Sequence, residues 1–252
     1  MSWHPYAAAA TTAVGLVSGA LVPAVVARLP EPRPEPAAGG GDVNDIVPAE
    51  DEADYSRPVD VVKEPYADVA GLPGLRWRCA VAGAVASGLL GARLGWTPAL
   101  LFLLYLVPVC VALAVVDWRT RYLPTRLIAP SYVVVAALAV LASALVGDWR
   151  ALGVAAAGWL GTFAFFFLVW FLVPRAWSYG DVRLAGLLGM ALGWAGPAPL
   201  LVGIWLGFLL GGLGGLALSR LRVFHHAHVP LGPFLVLGAW AGLLWWGQAG
   251  TG

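Results

Sequence analysis

Acidic residues are scarce over most of this chain. Of the fourteen in its 252 residues, eleven lie between Glu31 and Asp68, and the 184 residues that follow hold three: Asp117, Asp148 and Asp181. Charged residues of either sign make up 12% of the chain, too few to cover the surface of a soluble protein this size. The two cysteines, Cys79 and Cys110, stand far apart in apolar surroundings. That excludes a disulfide framework and a C-x-x-C metal site, and both read as small buried hydrophobes. Runs such as "VVVAALAVLASALV" are continuous, where a membrane β-barrel needs alternation. No basic segment precedes the first apolar run, residues 6–27, and the nearest positive charges, Arg28 and Arg33, follow it. It therefore reads as a retained span and not a cleaved signal.

What the chain has instead is apolar length. It is 60% hydrophobic with a mean hydropathy of +0.79, the composition of an all-α polytopic membrane protein whose main solvent is lipid. Gly, Pro and charge punctuate eight candidate spans, at 6–27, 77–95, 98–116, 127–147, 151–173, 181–195, 198–219 and 231–247. The sixth is short for a membrane crossing. "GFLLGGLGGLALS" in the seventh offers small residues for close helix packing. With the N-terminus outside, thirteen basic residues face the cytosol, and only Arg93 and Arg150 face outward. That bias supports both the orientation and the number of spans. Residues 1–30 form the first helix and 77–252 a seven-span core. Between them, residues 31–76 are Pro-, Gly- and acid-rich, and the eleven acids up to Asp68 face only Arg33, Arg57 and Lys63. This stretch is expected to be a solvated, largely disordered cytosolic loop.

The three late acids divide on this topology. Asp148, in "GDWR" between the fourth and fifth spans, suits a turn or a helix N-cap. Asp117 ends the third span and Asp181 begins the sixth, so both fall at cytosolic ends. Asp181 alone reads as an N-terminal helix residue, where the dipole welcomes a negative charge. Asp117 stands at a C-terminal end, where the dipole disfavours an anion, with Arg119 and Arg121 as possible solvated counter-charges. Ionisable groups in membrane spans are functional candidates. Two carboxyl groups brought close cannot both ionise cheaply and share a proton. One can then take a proton from water while its protonated partner polarises a peptide carbonyl.

At these residues the sequence resembles a known family. "SYGDVRLAGLLG" is similar to the G-x-G-D-x-K-L signature of the type IV prepilin peptidases, which are intramembrane aspartic proteases. "VVDWRTRYLPTRL" resembles their other catalytic segment, an Asp followed seven residues later by Pro, here Asp117 and Pro124. "VPLGPFLVLGA" resembles the P-F-G-P-F-L stretch before the last helix, here Pro230 to Leu235, and "GLVSGALVPAVVARLP" resembles the opening helix.

The resemblance implies cleavage of leader peptides from prepilin or pseudopilin precursors at the cytosolic face of the bacterial cytoplasmic membrane, without cofactor or metal. It implies Asp117 and Asp181 as the catalytic pair. Ser178, Tyr179, Gly180, Arg183 and Pro124 support the site loop, with Gly180 allowing close backbone approach to substrate. Pro230, Gly232, Pro233, Arg119 and Arg121 are substrate-binding candidates. Two signature positions depart: Ser178 replaces the first Gly, and Arg183 replaces the Lys, keeping charge but not shape. Many relatives carry two zinc-binding C-x-x-C pairs in the first cytosolic loop and also methylate the new N-terminus. This loop has no cysteine, so no zinc is expected, and S-adenosylmethionine enters only with a retained methyltransferase activity.

His225, His226 and His228, beside Arg220 and Arg222, read as a basic loop at anionic headgroups rather than a metal site. The partners expected are the bilayer and the precursors, with no nucleic acid; oligomeric state is unreadable. Two rivals stay open: an ion-coupled transporter using the Asp pair, which favours midplane acids and repeated halves, and a non-catalytic pilin-binding scaffold.

Overall fold

The computed structural model describes residues 4–31, 64–173, 178–220 and 230–246. Every regular element in it is helical. The helices are α1 (Pro5–Ala20), α2 (Val22–Val26), α3 (Tyr66–Ala70), α4 (Leu75–Leu94), α5 (Leu100–Thr120), α6 (Thr125–Val146), α7 (Trp149–Leu172), α8 (Tyr179–Ala195), α9 (Pro197–Arg220) and α10 (Gly232–Trp246). With α1 and α2 taken as one rod, this gives a helix for each of the eight expected spans. Five rods are long and apolar enough to cross a bilayer by themselves: Pro5–Val26, α5, α6, α7 and residues 197–214 of α9. The chain is an all-α, multi-pass membrane protein.

Small residues set the packing. Gly15 and Gly19 of α1 lie against Gly83 and Cys79 of α4, and Thr11 against Gly91, so the two helices run antiparallel at backbone contact. Gly158 and Thr162 of α7 meet Gly189 of α8 in the same manner. Gly203 and Gly207 of α9 meet Gly242 and Gly238 of α10. In lipid no hydrophobic force draws apolar helices together, so this close approach and its dispersion contacts hold the pairs.

The turns follow the local chemistry. Gly147 ends α6 with φ 74°, and Asp148 then caps α7, its Oδ1 accepting from the N–H groups of Arg150 (3.0 Å) and Ala151 (3.1 Å). The expected turn role of Asp148 is met. Asp148→Ala should cost about 1 kcal/mol of stability, read by thermal unfolding in detergent, and leave any activity at the other end of the bundle unchanged.

The short sixth span turns out to be the central helix. Thirteen of the 17 residues of α8 are buried, with α6, α7, α9 and α10 around it. A helix apolar on all sides belongs inside a bundle. At about 1.5 Å per residue it is roughly 26 Å long, shorter than the roughly 30 Å hydrocarbon layer. Its carboxyl-terminal end is fixed by Trp194, whose Nε1 donates to Ser143 Oγ at 2.9 Å and whose ring meets Phe102 edge-on at 5.3 Å.

The antiparallel pairings define two ends. His4, Gly95 and the last turn of α10 share one of them, where the Arg93 guanidinium donates to the Leu244 carbonyl at 3.2 and 3.3 Å. The other end gathers the starts of α4, α6, α8 and α10 with the close of α5. Arg28, Arg76, Arg78, Arg119, Arg121, Arg126, Arg183 and Arg220 are at that end, and Arg93 and Arg150 at the opposite one. Of the exposed tryptophans, Trp77, Trp96, Trp118, Trp149 and Trp245 stand near helix ends, as interfacial tryptophans do, while Trp159 and Trp205 lie within α7 and α9.

In the hydrophilic stretch, residues 32–63 lie outside the described residues. Its described end differs from the loop expected over 31–76. Residues 66–70 form α3, whose opening N–H groups on Tyr66 and Ala67 donate to the Glu31 carboxylate at 2.9 and 3.2 Å. Val69 and Tyr66 bury beside Val22 and Val26. A glutamate distant in sequence serves as the cap, a contact no local pattern announces.

Candidate active site

Asp117 and Asp181 are both buried, 3% and 5% exposed, at the arginine-rich end of the bundle. Asp181 is the third residue of α8. Its Oδ2 accepts from the N–H and hydroxyl of Ser178, each at 3.0 Å, while the Ser178 hydroxyl accepts the Asp181 N–H at 3.3 Å. This capping box ties the carboxylate to the amino end of a helix, where the dipole favours negative charge. Ser178, a departure from the family signature, is therefore a working cap here.

Asp117 has the harder position, in the last turn of α5. Its Oδ2 accepts the backbone N–H of Gly232 at 2.9 Å, and that contact is buried. Gly232 is the first residue of α10, so the amino end of a second helix faces the carboxylate and offsets the carboxyl-end dipole of α5. A Cβ on residue 232 would lie 2.8 Å from Asp117 Oδ2. The expected liability of Asp117 is thus answered across 115 residues of chain.

The segments carrying the two acids are packed together. After α5, Arg121 takes a left-handed conformation, φ 54°, with its N–H on the Asp117 carbonyl at 2.8 Å. The chain then folds back through Leu123 and the buried Pro124 into α6. A Cβ on Gly180 would stand 2.7 Å from Leu123 Cβ; it is Leu123, therefore, that requires residue 180 to lack a side chain. The Arg183 guanidinium donates to Thr125 Oγ1 and lies over the Tyr179 ring at 4.5 Å. Tyr132 of α6 donates its hydroxyl to the Arg183 carbonyl at 2.5 Å. Leu123, Thr125 and Tyr132 were not singled out from sequence. Their only signal is that Thr125 and Tyr132 are among the few polar groups in an apolar run.

The remaining candidates separate. Pro230 is buried and leads into Gly232. Pro233 lines an apolar groove with Arg119. Arg119 holds Glu64 in a two-point ion pair, Nε to Oε2 at 2.9 Å and Nη2 to Oε1 at 2.8 Å, with both side chains exposed. His225, His226 and His228 lie outside the described residues. Among the described residues no group of three His, Cys, Asp or Glu side chains could hold a metal ion.

Fold and site together define a multi-pass helical membrane protein with two buried carboxylates set at one end of its bundle. Residues 104–216 match the model of the type IV leader peptidase family, a stretch holding Asp117, Pro124 and the whole of 178–184. Two proteins named prepilin leader peptidase/N-methyltransferase, from Aeromonas salmonicida (strain A449) and Aeromonas hydrophila, are each 33% identical over 152 residues, covering 56% of this chain and 48% of theirs. The chain spans about half the length of the curated relatives it matches. No solved structure matches it.

Proposed function

We propose that this protein is an aspartic endopeptidase of the bacterial cytoplasmic membrane that removes leader peptides from prepilin or pseudopilin precursors. The observation that carries the reading is the placement of Asp117 and Asp181, the only buried acids among the described residues, at one end of the bundle within a stretch that matches the family. In this reading one carboxylate takes a proton from water as the water oxygen attacks the scissile carbonyl carbon. The protonated partner gives its proton to the carbonyl oxygen, forming a gem-diol. Collapse returns a proton to the leaving nitrogen, and the peptide bond breaks without a covalent intermediate. The helix amino ends at Gly232 and Ser178 hold the carboxyl groups in place at little reorganisation cost. An ion-coupled transporter fits less well, because both acids stand in terminal helical turns and not in the middle of their helices.

The test is incubation of membranes containing the full chain with a pilin-type precursor, followed by mass measurement of both products. A mature product cut just before its apolar helix is expected, with an unmodified amino terminus, since the first loop lacks the relatives' cysteines. An uncut precursor overturns the peptidase reading. A 14-dalton gain on the mature product (one methyl group replacing hydrogen, about 14 by mass) overturns the second expectation alone.

A further inference from the structure

An open apolar groove of about 1160 Å³ runs between α4, α5 and α10. Its walls extend from Val107 to Arg119 on α5 and from Pro233 to Leu244 on α10, roughly 16–18 Å at about 1.5 Å per residue, or three helical turns. Ala82, Ala86 and Ala114 are among the small residues that line it. Its charged lining residues are Arg78 and Arg119, both at the end of the bundle that holds the two acids. That end adjoins the site along the chain: Trp118 and Arg119 directly follow Asp117, and Pro233 follows the Gly232 whose N–H holds Asp117, while the two acids themselves are buried outside the groove lining.

We propose that this groove receives the apolar helix of the precursor. The proposal rests on the peptidase reading and extends it to where the substrate docks. A precursor cut at its cytosolic end joins a polar leader to an apolar helix, and here a charged mouth joins an apolar groove whose rim, at Trp118 and Arg119, directly follows Asp117 in the chain. Three turns of small and apolar side chains suit the ridge of an incoming helix, because small residues let backbones approach. The polar leader stays at the mouth, among Arg78, Arg119 and Glu64, because the groove offers its charges no partner.

The experiment places a photo-reactive amino acid at Val85 or Leu237 in the groove, or at Val133 on α6 as control, in the full chain carrying Asp181→Asn. All three positions are exposed and none belongs to the acid site. Irradiation in membranes with a pilin-type precursor is expected to give precursor adducts at least tenfold more abundant at Val85 and Leu237 than at Val133. Adducts with lipid alone in the groove, or equal precursor yields at Val133, overturn the proposal. The same probes in the chain with Asp181 intact separate the two readings. Normal cleavage without groove adducts overturns docking only, and groove adducts without cleavage overturn the peptidase reading only.

Discussion

Replacing either Asp117 or Asp181 by Asn is expected to abolish leader removal, by about 10³-fold or more, while the protein still inserts. Asn matches Asp in shape, and its carbonyl oxygen can still accept the Gly232 N–H at position 117 or the Ser178 donors at position 181. Packing around both buried positions is therefore retained. What Asn lacks is the ability to take up or give a proton near neutral pH. Positioned acid–base groups contribute about 10²- to 10⁴-fold each, and a mechanism needing one carboxylate and one carboxylic acid fails when either is lost. A mobility-shift assay on the precursor, with membrane fractionation and thermal unfolding as folding controls, reads the outcome. Full processing by either variant would sink the aspartic mechanism.

Much of the fold was legible because the bilayer constrains it so tightly. Apolar length located a helix for each expected span to within a few residues, and five of these are long and apolar enough to cross a bilayer. The arginines from Arg28 to Arg220 marked one end, and the described positions reproduce that division, with Arg93 and Arg150 opposite. Asp148 was legible as a local cap because its partners are two and three residues away. The burial of α8 explains its shortness, a reason that span length alone does not supply. What stayed hidden are contacts between segments remote in the chain. Glu31 capping α3, Glu64 on Arg119 and Gly232 on Asp117 are each set by tertiary packing, and none leaves a periodicity. Gly180 was read for its freedom to approach a ligand, whereas the structure gives its neighbour as Leu123. The two acids stood out for a physical reason: a carboxylate in an apolar span is costly enough to be rare.

Gly232→Ala is expected to lower cleavage by about 10²-fold with little change in stability. On local grounds the substitution should be harmless. Residue 232 is not in the left-handed region, it starts a helix, and Ala is a better helix former than Gly by about 1 kcal/mol. Against that stands one steric fact. The new methyl group would lie 2.8 Å from Asp117 Oδ2 and 3.2 Å from its Cγ, so the carboxyl group must move by several tenths of an ångström or the start of α10 must retreat. Either shift disturbs the Gly232 N–H contact that now holds Oδ2 at 2.9 Å. Misplacing a reacting group by about 1 Å can cost about 10²-fold, and no packing energy need change for that loss to appear. The matched control is Gly212→Ala on α9, where an added Cβ meets nothing within 4 Å; it should cleave like the parent chain. Loss at 232 combined with an unchanged unfolding temperature would assign Gly232 to positioning Asp117. Cleavage at the parent rate by Gly232→Ala would show that the amide contact has no part in the reaction, and the offset of the α5 dipole by α10 would then bear on folding alone.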